Sequence, residues 1–207
     1  MTGLRDRKKK EIRHRIIAAA ADLITEAGLD NTTMEEIATA ADVSVATVYN
    51  YFGTKSALLL AGVEEETENM LAAGAATLAS PGTDPEAAAK RLLRVYLDDF
   101  AAWDPRLLRE VMGAAFQRIG GEDITSELAQ LDQRLLEQMM TLLSHFHGEG
   151  QLADGVEVLE ATMLIFSVFI LQIFMYMSLE SFEISDLHEQ VDRQIELAFA
   201  GINKESE

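Results

Sequence analysis

The 207-residue chain reads as an all-α protein of about nine helices, a small N-terminal three-helix unit followed by a larger helical body. Three observations carry that expectation. Apolar residues recur at helical spacing, most cleanly at Ile12, Ile16, Ile17, Ala20, Leu23, Ile24 and Ala27. The 3 prolines and most of the 13 glycines fall between such stretches rather than inside them. Helix-start signals stand where several of the stretches begin. With 48% hydrophobic residues a substantial core is available, and with no cysteine neither a disulfide nor a thiolate metal site is possible.

The elements follow in order. The first helix is expected over Lys8–Ala27, stopped by Gly28. Thr33 and Glu36 form a capping box that starts a second at Met34, with Ile37, Ala38 and Ala41 as its inner face. Asp42 and Val43 interrupt, and Ser44 caps a third helix running to about Phe52. There Val48 and Phe52 share the inward side, while Ala46, Thr47, Asn50 and Tyr51 face outward. The fourth runs from beyond Thr54 to about Ala79 and exposes Glu64, Glu65, Glu66 and Glu68. In the loop Ser80–Pro85, Asp84 is an N-cap and Pro85 opens a fifth helix to about Ala102. Asp104-Pro105 repeats that signal for a sixth, ending near Arg118 before Gly120-Gly121. A seventh spans about Ile124–His147. An eighth, capped by Asp154, reaches about Ser178, and a ninth covers about Asp186–Ile202.

The net charge of −18 is unevenly laid out. Residues 1–15 hold Arg5, Arg7, Lys8, Lys9, Lys10, Arg13 and Arg15 and carry +5, residues 16–55 carry −5, and residues 56–207 carry −18. The one concentrated positive region therefore adjoins the short third helix. A short helix with small and polar residues outward and a firm inner anchor suits insertion into a DNA major groove, and the basic segment suits an arm on phosphates. An acidic body would repel DNA everywhere else and so orient docking.

The stretch Asn31–Lys55 (NTTMEEIATAADVSVATVYNYFGTK) resembles the helix-turn-helix of TetR-type transcriptional repressors. Thr33, the run Ile37–Ser44, the block Thr47–Phe52 and Lys55 followed by Ala57-Leu58-Leu59 carry the resemblance. Asp42 stands where the family usually has glycine, and Asp tolerates left-handed backbone better than most residues. The resemblance implies a TetR/AcrR-type regulator with a DNA-binding domain over 1–54 and a ligand-binding and dimerisation domain over 55–207. It implies phosphate contacts from Thr33, Ser44, Thr47, Tyr49, Tyr51 and Lys55, and base contacts from Val45, Ala46 and Asn50. The partners it implies are an operator in double-stranded DNA, a small hydrophobic effector and a second copy of the chain. Lys55 in the first turn of a helix opposes the macrodipole, which makes sense beside a phosphate.

The body is rich in aromatic and methionine side chains, which form either plain core or an adaptable apolar cavity. Phe100, Trp103, Met112, Phe116, Met139, Phe166 and Ile170 are the candidate lining residues. Arg106 and Arg109 are candidates for a ligand's acidic group. The run Ala161–Leu179 has no charge and is close to bilayer-spanning length, yet its flanks are Glu157, Glu160, Glu180 and Glu183 rather than Lys or Arg. A helix apolar all round may equally be buried in protein on every side, and the resemblance implies that it packs on its twin in a second copy of the chain rather than in a membrane. The charged N-terminus lacks the apolar core of a leader, so a cytoplasmic setting is expected. P-loop, Rossmann, HExxH and nucleophile-elbow patterns are all missing, which argues against an enzyme. His145 and His147 signal no metal site, and no cofactor is implied. A constitutive DNA-binding protein with a solid core, and a carrier of hydrophobic molecules that ignores DNA, remain as alternatives.

Overall fold

The computed structural model describes residues 3–101, 103–117, 124–179 and 183–203, without the side chains of residues 5, 114–117 and 124–128. Among the described residues the chain forms nine helices: α1 (Leu4–Ala27), α2 (Met34–Ala40), α3 (Val45–Phe52), α4 (Lys55–Ala79), α5 (Pro85–Ala101), α6 (Pro105–Gln117), α7 (Ile124–Gly148), α8 (Val158–Ser178) and α9 (Ile184–Ile202). The expected C-terminal signals Ala102, Arg118 and Gly120-Gly121 lie outside the described residues.

Three helix starts differ from the sequence reading. The first helix begins at Leu4 rather than Lys8, because Gly3 takes the cap position and its carbonyl accepts from Asp6 N and Arg7 N. Asp6 in that first turn offsets the macrodipole. The basic segment is therefore mostly helical and not a separate arm. The eighth helix starts at Val158, not at an Asp154 cap. Residues 152–156 are already committed: Leu152 bridges Asn203, Ala153 N donates to Ile202 O at 2.7 Å, and Val156 N turns back onto Ala153 O. The ninth begins two residues early because Asp186 sits within the first turn, where its carboxylate accepts from Glu183 N at 2.9 Å.

The contacts divide the chain into two compact units, residues 1–67 with 104–128, and residues 68–103 with 129–207. In the first unit Ile16, Ala20 and Ile24 of α1 are buried together with Ile37 and Ala38 of α2, Val48 of α3, Leu58 and Leu59 of α4, and Leu107, Leu108 and Val111 of α6. Gly62 lets α4 approach α1 closely, since a Cβ there would stand 3.3 Å from Ile17 Cγ2.

The second unit is built on periodic stripes. Leu187, Val191, Ile195 and Phe199 of α9 are fully buried, as are Leu92, Leu93, Tyr96 and Leu97 of α5. Each such side chain contributes about 2 kcal/mol of transfer energy. Along the rim of these two helices, Lys90 lies 2.7 Å from Glu196, Arg94 pairs with Asp192, and His188 Nε2 lies 2.9 Å from Asp98. This ladder sets the register of an antiparallel pair, while the apolar seam supplies the energy.

A buried polar link ties three helices of this unit. The Tyr96 hydroxyl donates to Gln138 Oε1 at 2.7 Å, and Gln138 Nε2 donates to Leu71 O at 2.9 Å. Burial pushes the Tyr96 hydroxyl pKa up, so it stays a donor. Gly74 makes room for this link, because a Cβ there would fall 2.2 Å from Gln138 Oε1. Alanine normally stabilises a helix over glycine by about 0.5–1 kcal/mol. Here Gly74→Ala forces Gln138 aside and strands the Tyr96 hydroxyl, at a cost of about 1–3 kcal/mol. Urea unfolding should show a lower midpoint for Gly74→Ala, and an unchanged or higher midpoint would refute this account of the link.

Candidate nucleic-acid interface

The reading head is assembled by caps and one anchor. Thr33 caps α2 reciprocally with Glu36: Glu36 N donates to Thr33 Oγ1 at 3.2 Å, and Thr33 N donates to Glu36 Oε2 at 2.9 Å. The Thr33 hydroxyl and amide bonds hold the Glu36 carboxyl below its ordinary range. Asp42 makes the turn in the left-handed region, at φ 53°, as its short polar side chain permits. Ser44 then caps α3, accepting from Thr47 N at 3.1 Å. Val48 is fully buried and fixes the helix rotationally. Gly53, at φ 73°, ends it.

With Val48 inward, Ala46, Tyr49 and Asn50 are exposed on the opposite face and Ser44 is exposed at its start. Thr33 is exposed at the start of α2, and Thr47 and Tyr51 are half-buried. Val45 is also half-buried, so it offers less surface than Ala46 or Asn50. Tyr51 leans toward α1, its hydroxyl 3.4 Å from Lys9 O, beside an open cleft of about 570 Å³ lined by Asp6, Lys8, Lys9 and Ile12. Arg7, Lys8, Lys9, Lys10 and Arg15 are exposed. Arg13 is spent internally: Nη1 donates to Glu65 Oε2 at 2.6 Å and the guanidinium lies 6.0 Å over the Phe52 ring. Glu65 also meets His14 Nδ1 at 2.7 Å, so part of the acidic patch on α4 anchors α1.

Lys55 corrects the sequence reading. Its ammonium donates to Leu29 O at 2.6 Å, Thr32 O at 2.7 Å and Asp30 O at 3.4 Å. These carbonyls belong to the α1–α2 loop, so the cation at the start of α4 is explained without a phosphate. The same loop is also held by Glu110, whose Oε2 accepts from Leu29 N at 3.3 Å. No local pattern announces that contact, since the partners are 81 residues apart.

The candidate pocket residues fall in both units. Met112, half-buried, belongs to the first, as does Phe116, whose side chain lies outside the described residues. In the second, Phe166 and Phe100 flank Phe169 at 5.5 Å and 5.6 Å between ring centres, Met139 is fully buried and Trp103 is half-buried. Ile170 is 41% exposed among Met163, Leu164, Leu171 and Phe174, which turns it away from that aromatic cluster.

A short capped helix with a polar outer face, beside a basic helix, has the local architecture of a helix-turn-helix unit. Residues 16–61 match the family described as bacterial regulatory proteins, tetR family. The HTH-type transcriptional regulator TcmR of Streptomyces glaucescens is 35% identical over 71 residues, 34% of this chain and 31% of its own. The chain spans less than half the length of the curated relatives it matches. In fold, it superposes on SmeT in a triclosan complex with a TM-score of 0.73, at 22% identity over 94% of this chain and 93% of that one. FadR of Bacillus subtilis, in complex with stearoyl-CoA, gives 0.71 at 20% identity over 92% and 99%. Residues 16–61 thus carry a tetR-type helix-turn-helix sequence, the all-helical fold is that of solved TetR-family structures, and the curated relatives of the N-terminal region are transcriptional regulators.

Replacing Lys55 by Met should lower the thermal stability of the head, at a cost of about 1–3 kcal/mol for the lost charge-assisted bonds. DNA binding should weaken with its salt slope unchanged. A slope smaller by about 0.9 would instead make Lys55 a phosphate ligand.

Proposed function

We propose that the chain is a cytoplasmic, homodimeric transcriptional repressor that holds a palindromic operator and lets it go when a small, mainly apolar molecule binds. The observation that carries this reading is the outward face of α3, where Ala46, Tyr49 and Asn50 stand exposed while Val48 beneath them is fully buried. Ala46, Asn50 and the edge of Val45 meet bases. Ser44, Thr47, Tyr49, Tyr51 and Thr33 hold phosphates, with Lys8 and Lys9 adding charge from α1. Residues 1–54 read DNA, and residues 55–207 dimerise and bind ligand. SmeT with triclosan and FadR with stearoyl-CoA set the chemical class of effector to try first. Phe100, Trp103, Met139 and Phe166, all in the second unit, remain the lining set, and Ile170 passes to the dimer face.

The dimer face is the outer side of α8. That helix has a mean hydropathy of 2.2, long and apolar enough to cross a membrane, but only one side is covered within the chain. Ile165, Phe166, Phe169 and Ile173 are buried, and so is Gln172, whose Nε2 lies 3.3 Å from Gln194 Oε1 of α9. Leu159, Met163, Leu164, Ile170, Leu171 and Phe174 are 41–59% exposed, and Leu197 of α9 is 77% exposed. A second copy turned about a two-fold axis would bury this row on its equivalent. Two α3 helices would then address half-sites roughly 34–36 Å apart.

For release, the effector must bind the DNA-incompetent state more tightly, and operator must weaken effector binding by the same factor, typically about 5–150-fold. The continuous helix α4 is the covalent link through which a displacement near Ala79 reaches Lys55.

Selection from random duplexes should return a palindrome, and Asn50→Ala should change the preferred base at one position per half-site by about 1–3 kcal/mol. Tyr49→Phe should weaken all sequences alike. Phe174→Glu should give a monomer by sedimentation that no longer retards the palindrome. A wild-type protein that is monomeric at micromolar concentration, or indifferent to every duplex offered, would end this proposal.

A further inference from the structure

The first unit contains a helix that the DNA-reading function does not call for. Residues 104–128 leave the second unit, join residues 1–67, and are followed by residues that belong to the second unit again. The centre of this excursion is α6, which packs on α1 through Leu107, Leu108 and Val111. A polar hold of this helix on the head is Glu110. The carboxylate accepts from Leu29 N at 3.3 Å, and it stands so close to Gly28 that a Cβ there would lie 3.3 Å from Oε1. Gly28 is at φ 84°, which favours glycine in any case.

The loop that Glu110 grips connects α1 to α2. Leu29 is 4% exposed and Thr32 2%, so its backbone groups have little water to bond with. Its carbonyls are taken by Lys55, its first carbonyl by the Thr32 hydroxyl at 2.9 Å, and the Leu29 amide by Glu110. An anion on its amide and a cation on its carbonyls hold one short loop between α1 and α2. The loop sets the angle at which α2, and α3 packed on it, leave α1.

We infer that Glu110 is a positioning residue for DNA recognition: through the Leu29 amide, α6 holds the α1–α2 loop in its DNA-competent geometry, and withdrawal of α6 releases it. The inference rests on the DNA-binding reading above and gives it a second physical input, separate from the α4 continuity.

Three full-length variants test it: Glu110→Ala, Glu110→Gln and Glu110→Ala with Lys55→Met. The DNA is the palindrome selected by the unaltered protein. Glu110→Ala leaves a buried amide unpaired and should bind about tenfold more weakly. Its salt slope should be unchanged, because no phosphate contact is lost. Glu110→Gln keeps an oxygen for the Leu29 amide and should restore affinity to within about twofold. Hydrogen exchange at the Leu29 amide should quicken in Glu110→Ala, without DNA, and return toward the original rate in Glu110→Gln. The double variant should lose less than the product of the two single losses, since both residues act on one loop. Operator affinity of folded Glu110→Ala equal to that of the unaltered protein would overturn the inference, as would unchanged exchange at Leu29 or a failure of Glu110→Gln to rescue. If Glu110→Ala does not fold, Glu110→Gln with weakened operator binding still overturns it, and Glu110→Gln with intact binding and slow exchange supports it. An unaltered protein that selects no DNA removes the functional reading and this inference together, which is distinct from intact binding that ignores position 110.

Discussion

The reading head depends on one backbone debt: the carbonyls and amide of residues 28–32, which no helix can satisfy. The first helix ends at Ala27 and the second begins at Met34, so the connection must turn within a few residues beneath the apolar layer. Leu29 is buried there as part of the core, which takes its own peptide groups out of water. A buried carbonyl without a donor costs about as much as a lost hydrogen bond, or more. The chain answers with side chains from elements far along the sequence, chiefly the Lys55 ammonium. A three-donor ammonium suits three carbonyls at the end of one helix, where the macrodipole also favours a cation. The charge that looks misplaced at the N-terminus of α4 is well placed for the loop before α2.

The same economy orders the electrostatics. The net charge of −18 does not describe any single face. On α1, Arg13 is neutralised against Glu65, while Lys8 and Lys9 stay exposed near Tyr51. Glu65 thereby helps to hold the basic helix in place, and the acidic patch of α4 is partly structural. In the second unit the charges sit on the rim of α5 and α9, over a seam that is already apolar and filled. Burial would lower the Lys90 pKa, but its bonds to Glu196 and Glu86 outweigh that and raise it. Such rim pairs contribute little energy beside the buried seam.

What was legible in the sequence was whatever is decided within a turn or two of chain. The caps at Thr33 and Ser44, the left-handed turn at Asp42, the inward Val48 and the Pro-led starts of α5 and α6 are local, and all stand where the residues put them. The departures share a cause. Asp154 is a good cap by type, but Leu152 and Ala153 are drawn to the end of α9 by bonds to Asn203 and Ile202, which a local rule cannot see. Lys55 resembles a phosphate ligand until loop carbonyls 23 to 26 residues earlier are brought beside it. Ile170 is one apolar residue among many on α8, and only the packing tells which side is covered. Periodicity has no phase on a helix apolar all round.

That last point bears on why α8 is apolar all round at all. A helix that packs on its own chain along one stripe needs only that stripe to be apolar, as α9 shows with Leu187, Val191, Ile195 and Phe199 inward and Glu189, Arg193 and Glu196 outward. On α8 the buried stripe is Ile165, Phe166, Phe169 and Ile173, and the opposite side repeats the pattern with Met163, Leu164, Leu171 and Phe174. Two stripes on one helix make two apolar faces. The inner one is covered within the chain by α9 and α5. For the outer one, Ser167 stands exposed in the middle of the row, its hydroxyl donating to Leu164 O at 2.7 Å. That satisfied, small polar group costs little in a close helix–helix contact and breaks an otherwise greasy surface. Glu160 stands exposed at one end of the row. A row of this length, interrupted in the middle and charged at its rim, matches the mixed character of a protein contact better than the unbroken apolar band a lipid would require.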